Sequence, residues 1–356
     1  MPIDYSKFPA EIVPTIRSLE KDIDFERASE KGANGYVLFG QNRLLERSVV
    51  IKFYFWENGD HIEPKRLAQL EHDHVVKIYD AQSIDDDYAF YMMRHCDGGD
   101  IDNHLFAGKI GLIKATDLTT QVASAVSFLH AEGFLHRDLK PENIFLDNDR
   151  CVIGDFGSVV EQGETGSAVS LTKHSLLYRP PELFVANTYY RAGDVYQLGI
   201  FYYQMLGGFL PYGERDWLSV KEQIKYDELQ GYEQQLFSAN AIEKKIKAGR
   251  LLDYDSLPAY VPKALVAIIR KATRVVYADR YDTVADFCAA LTNARAAIPD
   301  WTEIDWPTLR RDNKTIRLVK EKADWVIEKD SGTGWRRDRK NSFTSFRKAV
   351  EHAEAI

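Results

Sequence analysis

The 356-residue chain has only three cysteines, Cys96, Cys151 and Cys288, with no CxxC spacing, and an odd count cannot pair completely. This argues against a disulfide framework and a cysteine-built zinc site, and points to reduced thiols in a cytoplasmic protein. No apolar run approaches the roughly 18–20 residues that a bilayer requires, so no membrane span is expected. The first 24 residues are polar and mixed in charge, unlike a secretory signal. Long repeats and low-complexity tracts are also lacking, which excludes a solenoid. A net charge of −8 supplies no overall basic field for nucleic acid or anionic lipid.

What remains is ordinary globular composition, 45% hydrophobic and 28% charged, long enough for one large or two modest domains. Charge is uneven, because residues 310–356 carry 13 Lys+Arg against 8 Asp+Glu and so form a basic end on an acidic body. The front of the chain reads as strands. Ser48–Phe55 is β-branched and aromatic, Val75–Tyr79 and Tyr88–Met93 follow, and Gly32 and Gly35 punctuate the first hairpin. Pro64–Leu70 reads as a short helix with proline in its first turn. After Gly98-Gly99 the pattern turns helical. Leu118, Val122, Ala125, Val126 and Leu129 share one face, and further helices are expected near 193–206, 217–230, 261–273 and 283–296. A strand-rich front and a helix-rich back imply an α+β chain of two lobes.

The most informative segment is His136-Arg137-Asp138-Leu139-Lys140-Pro141-Glu142-Asn143, followed twelve residues after Asn143 by Asp155-Phe156-Gly157. Asp138 offers a carboxylate to orient a hydroxyl and take its proton, and Lys140 offers an ammonium against phosphate charge. Asn143 and Asp155 offer the hard oxygens that suit Mg²⁺. Single Asp or Asn residues are usually turn formers, but four roles at this spacing form a phosphoryl-transfer set.

With these motifs in order, residues 23–297 resemble a eukaryotic-type (Hanks-type) serine/threonine protein kinase, and the setting of Arg280 resembles bacterial members of that family. The resemblance implies a bilobal kinase fold, MgATP as donor with Mn²⁺ as a substitute metal, protein Ser/Thr hydroxyls as acceptors, and autophosphorylation. It makes Asp138 and Lys140 catalytic, and Asn143 and Asp155 metal ligands. Glu30-Lys31-Gly32-Ala33-Asn34-Gly35-Tyr36-Val37 matches the glycine-rich loop except that Glu30 replaces the first glycine. Gly32, Gly35 and Val37 would then cover the nucleotide. Lys52 would hold the α- and β-phosphates, and Val50 stands where the family usually has alanine. Glu63 is the partner assigned to Lys52, only eleven residues on, and Pro64 biases it away from helix. Met93 takes the gatekeeper place, the backbone of Arg94 and Cys96 meets adenine, Asp100 meets ribose or a basic substrate residue, and Phe145 forms the floor.

By the same resemblance Arg137 orders the activation segment through a phosphate, and Ser175 contacts the catalytic aspartate and lysine. Glu182 pairs with Arg280, and Asp194 anchors the catalytic loop. Ser167, Ser170 and Thr172 are the phosphosite candidates. A lysine at position 140 is of the Ser/Thr type. The competing reading is a pseudokinase scaffold or nucleotide-binding regulatory protein, which draws on Glu30, Val50 and the short spacing to Glu63.

The domain reading is an N-terminal extension at 1–22 and a kinase domain at 23–297. The latter divides into an N-lobe (23–95) and a C-lobe (96–297) with an insert at about 214–240. A linker is assigned to 298–313, bracketed by Pro299 and Pro307, and a small ββ(β)α accessory module to 314–356. In that module Trp325, Val326, Trp335, Phe343, Phe346 and Val350 are the expected core. Arg336, Arg337, Arg339 and Lys340 resemble the contact face of small three-stranded DNA-binding modules. A solvated face on a docking appendage is the commoner meaning of such a charge run, so nucleic acid is the weaker reading.

Overall fold

The computed structural model describes residues 3–29, 35–55, 64–108, 110–163, 166–169 and 175–356. Helix α1 (Val13–Leu19), with Pro14 in its first turn, precedes strands β1 (Ile23–Ser29), β2 (Tyr36–Asn42) and β3 (Arg47–Phe55). The short α2 (Pro64–Leu67) leads to β4 (Ile78–Ser83) and β5 (Tyr88–Arg94). These strands form one antiparallel sheet in the order β1-β2-β3-β5-β4. Val49 through Tyr54 are all buried, so both faces of β3 are covered. Val49, Ile51 and Phe53 meet Phe8, Ile12 and Ile16 of the N-terminal segment, while Val50 and Tyr54 join the core that continues into the C-lobe. The N-terminal extension is therefore a lid on the sheet. The strand expected from Val75 starts later, at Ile78, because Val76 N–H instead donates to Ile153 O (2.9 Å).

The C-lobe begins with α3 (Ile101–Ala107) and α4 (Leu112–Ala131), whose five expected core residues are all buried. Strand β6 (Phe134–Leu135) leads into the segment 136–143, and the hairpin β7 (Ile144–Asp147) and β8 (Arg150–Ile153) follows. Strand β9 (Val160–Glu161) pairs with β6. Strand β10 (Ser167–Val169), α5 (Leu183–Ala186) and β11 (Thr188–Tyr190) come next, with β10 paired to β11. Helix α6 (Arg191–Met205) is almost wholly buried and forms the axis of the lobe. Helices α7 (Val220–Glu228) and α8 (Tyr232–Lys247) fill the assigned insert, and α9 (Lys263–Ala272) and α10 (Val284–Arg295) complete the lobe.

The end of the chain departs from expectation. The stretch assigned as a linker forms two strands, β12 (Asp300–Glu303) and β13 (Pro307–Arg311). They join β14 (Lys314–Glu321), β15 (Asp324–Asp330) and β16 (Arg336–Phe343) in a five-stranded antiparallel meander closed by α11 (Phe346–Ala355). Proline is tolerated at the first residue of a strand, which is where Pro307 stands. Trp301 is fully buried, stacks on Tyr260 (5.2 Å, 18°) and donates from Nε1 to Glu354 Oε1 (2.8 Å). Ile316, Leu318, Ile327 and Val350 share one continuous core with the C-lobe, so the sheet does not rely on a small core of its own. Trp335, expected inside, is partly exposed and lies under the Arg317 guanidinium at 4.1 Å.

Candidate active site

Two turns of α6 hold the segment 136–139. Asp194, fully buried, accepts from His136 N (3.0 Å) and His130 Nε2 (2.7 Å) on one oxygen, and from Arg137 N (2.9 Å) and Tyr189 OH (2.8 Å) on the other. One turn later, Gln197 donates to Arg137 O (2.8 Å) and accepts from Leu139 N (2.9 Å). These bonds hold Arg137 at φ 69°, a left-handed conformation that costs a non-glycine residue about 1–3 kcal/mol. Burial alone would raise the pKa of Asp194, but the bond from His130 and the imidazole charges of His130 and His136 bring it down to about 2. The charged form is therefore the structural one. Asp194 was legible in the sequence; His130, Tyr189 and Gln197 were not, although Gln197 follows Asp194 at the i,i+3 spacing of one helix face.

The loop so held presents Asp138, which is buried. Its Oδ2 accepts from Lys140 Nζ (2.9 Å) and Asn143 Nδ2 (2.9 Å), while Oδ1 has no partner among the described residues. A buried carboxylate oxygen without a donor is costly. Burial works against the Lys140 ammonium, yet the adjacent Asp138 carboxylate outweighs it and keeps its pKa above the usual lysine value. The amide nitrogen of Asn143 is taken by Asp138 O (2.7 Å) and Oδ2, so the group Asn143 can offer outward is its oxygen.

Lys52 on β3 is buried and forms an ion pair with Asp155 Oδ1. Asp155 has φ 54°, and its Oδ1 also accepts from Gly157 N (3.3 Å). Burial opposes its ionisation, but the Lys52 charge and hydrogen bond, with Lys140 beyond, hold the carboxyl below its usual range. The rings of Phe156 and His136 lie 6.4 Å apart, and Tyr91 meets Phe156 edge-on at 6.1 Å.

Lys52, Tyr91, Lys140, Asn143 and Asp155 line one cleft of about 610 Å³, with Val37, Val50, Met93, Arg94, Cys96, Asp100 and Phe145, and Asp138 is bonded to the lining residues Lys140 and Asn143. A cleft of that size accommodates a nucleotide. Gly35, at φ 134°, has no room for a side chain, since a Cβ would fall 1.8 Å from Phe53 O. Asp100 is engaged as the N-cap of α3, accepting from Asn103 N (2.9 Å). Gly32, Glu63, Ser170 and Thr172 lie outside the described residues.

Outside the cleft, Glu182 and Arg280 form a buried bidentate pair (2.6 and 2.9 Å), and Arg280 also donates to Ala192 O (2.8 Å). Arg137 is fully buried, with Nε donating to Ser158 O (2.7 Å). The Ser175 hydroxyl does not hydrogen-bond Asp138 or Lys140, contrary to expectation. Its carbonyl starts a single helical turn by accepting from Tyr178 N (3.1 Å).

The family model described as the protein kinase domain matches residues 30–282. Among curated proteins, the maternal embryonic leucine zipper kinase of Danio rerio is 29% identical over 206 residues, covering 54% of this chain and 30% of the relative. The serine/threonine-protein kinase ULK1 of Homo sapiens is 32% identical over 161 residues, covering 42% and 15%. The 3-phosphoinositide-dependent protein kinase 1 of Arabidopsis thaliana is 31% identical over 228 residues, covering 57% and 46%. The chain thus spans less than half the length of each of these relatives. Residues 300–356 lie outside the family match.

Proposed function

Since the chain belongs to the protein kinase domain family, we propose that it is an active serine/threonine protein kinase that moves the γ-phosphoryl group of ATP to protein Ser or Thr hydroxyls. The observation that carries this reading is the buried Oδ1 of Asp138, which has no hydrogen-bond partner among the described residues. A scaffold that performs no chemistry has no reason to keep that oxygen buried and unsatisfied, whereas a hydroxyl acceptor requires it.

Asp138 Oδ1 accepts the hydroxyl proton as the oxygen attacks, and Oδ2 stays fixed by Lys140 and Asn143. Lys140 remains protonated beside it and offsets charge on the moving phosphoryl group. Lys52 neutralises the phosphates behind that group. Asn143 Oδ1 and Asp155 Oδ2 are the oxygens that would hold Mg²⁺. Two hard donors suit an ion that completes its shell from phosphate and water, and Mn²⁺ fits the same set. The bound ion supplies charge neutralisation on the phosphates. At the hinge, Arg94 N–H is taken by Lys77 O (2.9 Å) and Cys96 O by Gly99 N (3.1 Å). The Arg94 carbonyl and Cys96 N–H are then the groups for the adenine edge. We also read the thiols as those of a cytoplasmic protein. No helix among the described residues is long and apolar enough to cross a membrane.

The test is phosphosite mapping by mass spectrometry after incubation with MgATP. Phosphate on Ser or Thr between Asp155 and Glu182, absent in Lys52→Ala, is the expected result. Phosphotyrosine alone, or no incorporation with Mg²⁺ or Mn²⁺ while nucleotide still binds, sinks it.

A further inference from the structure

Strand β16 is an outer edge of the terminal sheet, while β12 at the other edge packs on α4. Residues 336–348 carry six cations, Arg336, Arg337, Arg339, Lys340, Arg347 and Lys348, against one acid, Asp338. All six are exposed, and of them only Arg337 forms an ion pair with a described residue, Glu321 (2.9 Å). Helix stability does not account for the last two. Arg347 and Lys348 stand in the first turn of α11, which holds no acid, and the helix dipole disfavours cations there.

The backbone gives this charge a shape. Between the pairs Glu328–Arg337 and Val326–Ser342, Ile327 alone stands against Asp338, Arg339, Lys340 and Asn341, so β16 bulges there. Asp338 closes the bulge. Its Oδ1 accepts from Lys340 N (3.1 Å), and its Oδ2 from Lys329 Nζ (3.1 Å) and Asn341 Nδ2 (3.2 Å). These bonds hold the carboxyl down to about 2, so it stays charged while its oxygens are taken by the sheet itself. Arg339 and Lys340 are thus displayed on a backbone fixed in advance, which reduces the entropy lost on binding. A bulge already protects a sheet edge against pairing with a further strand, so the cations exceed what protection requires. The sheet is also fixed relative to the cleft, because Trp301 and the shared core tie it to the C-lobe.

We propose that this basic face binds an acidic segment of the substrate protein, a run of Asp or Glu remote from the phosphorylated residue, and so raises the local concentration of the acceptor hydroxyl. That an acidic polypeptide docks here stands on the charge and the bulge; that it belongs to the substrate rests on the kinase reading. The rest of the chain favours a short acidic run over a nucleic acid. Residues 1–309 carry 33 Lys+Arg against 46 Asp+Glu, so a long polyanion that overruns the module meets a repelling body. Trp335, the ring next to the cations, already carries the Arg317 guanidinium (4.1 Å) where a base would stack.

The experiment gives the full chain two versions of one Ser peptide, plain or joined to an octaglutamate tail by a Gly/Ser linker of about thirty residues, which spans about 30 Å. Fluorescence anisotropy without nucleotide reads binding of the tail, and phosphorylation with MgATP reads KM and kcat. The tail should bind, release as salt is raised, and lower KM with kcat unchanged. Arg336→Gln/Arg339→Gln/Lys340→Gln should weaken that binding about tenfold, the order of three exposed ion pairs. It should also return the tailed peptide to the KM of the plain one, whose own KM stays unchanged. All three side chains are exposed, so the fold is left intact. Asp338→Ala should weaken binding too, although the strand gains positive charge. A triple variant that binds the tail as the wild type does overturns the docking face and spares the kinase. So does tighter binding by Asp338→Ala, or tighter binding of a single-stranded oligonucleotide of equal charge than of the tail. A tail that binds without lowering KM overturns the assignment to the substrate. Tail binding that the triple variant loses, with neither peptide phosphorylated, spares the docking face and overturns the kinase.

Discussion

Asp194→Asn tests whether α6 sets the catalytic loop. Each oxygen of Asp194 serves two donors, His136 N and His130 on one, Arg137 N and Tyr189 OH on the other. Whichever oxygen becomes NH₂, one backbone N–H and one side chain lose a charged acceptor in a fully buried site. At roughly 1.5–3 kcal/mol for each hydrogen bond to a charged group, the loss comes to about 3–6 kcal/mol. The pH dependence gives an independent reading of the same site. The folded carboxyl is held down to about 2, against an ordinary 3.8. A depressed pKa stabilises the fold by about 2–3 kcal/mol above pH ~4, and that stabilisation is lost as pH falls toward 2. Urea unfolding at pH 7 should show the 3–6 kcal/mol deficit, and a series from pH 5 to 2 should show the acid slope flattened in the variant. Turnover should fall by at least about a hundredfold, because Arg137 is released from φ 69° and carries Asp138 with it. A variant within about 1 kcal/mol of wild type and with unchanged turnover would refute the reasoning.

Gln197→Ala removes the bonds to Arg137 O, Leu139 N and Tyr178 O. It should cost about 1–3 kcal/mol in urea unfolding and lower turnover more than nucleotide affinity. Glu182→Ala leaves Arg280 charged and buried, so a loss of about 3–5 kcal/mol is expected in the same assay. Trp301→Ala should cost about 3–5 kcal/mol and lower a single calorimetric transition, because the terminal sheet and the C-lobe share one core. Two separate transitions would show the sheet to be independent. Ile16→Asp places a charge between α1 and the sheet and should lower the melting temperature by several degrees, with the N-terminal segment becoming protease-sensitive.

The catalytic loop was legible because its chemistry is local. Asp138, Lys140 and Asn143 sit within six residues, and the resemblance to the kinase motifs joined Asp155 to them. The α4 face was legible for a similar reason, as five apolar residues keep helical period over three turns. The N-terminal lid was not, because Phe8, Ile12 and Ile16 are interleaved with polar and charged residues, and only the tertiary partner on β2 and β3 gives them meaning. Strands β12 and β13 were hidden by Pro299 and Pro307, which read as breakers. Each strand is too short to show alternation, and Trp301 finds its place through Tyr260, forty-one residues earlier. Trp335 misled by its size alone. Its ring is covered by Arg317 rather than by a core, an arrangement that hydrophobicity does not encode. Helices α7 and α8 were visible as helix-prone sequence.

On the proposed mechanism, Asp138 Oδ1 takes the proton of a Ser or Thr hydroxyl. Single-turnover transfer to a Ser peptide, measured in the wild-type chain and in Asp138→Asn beside the ATP affinity of each, tests it most directly. The variant's rate should be lower by at least about a thousandfold, with ATP affinity within about twofold. Transfer at a comparable rate in the variant would contradict it.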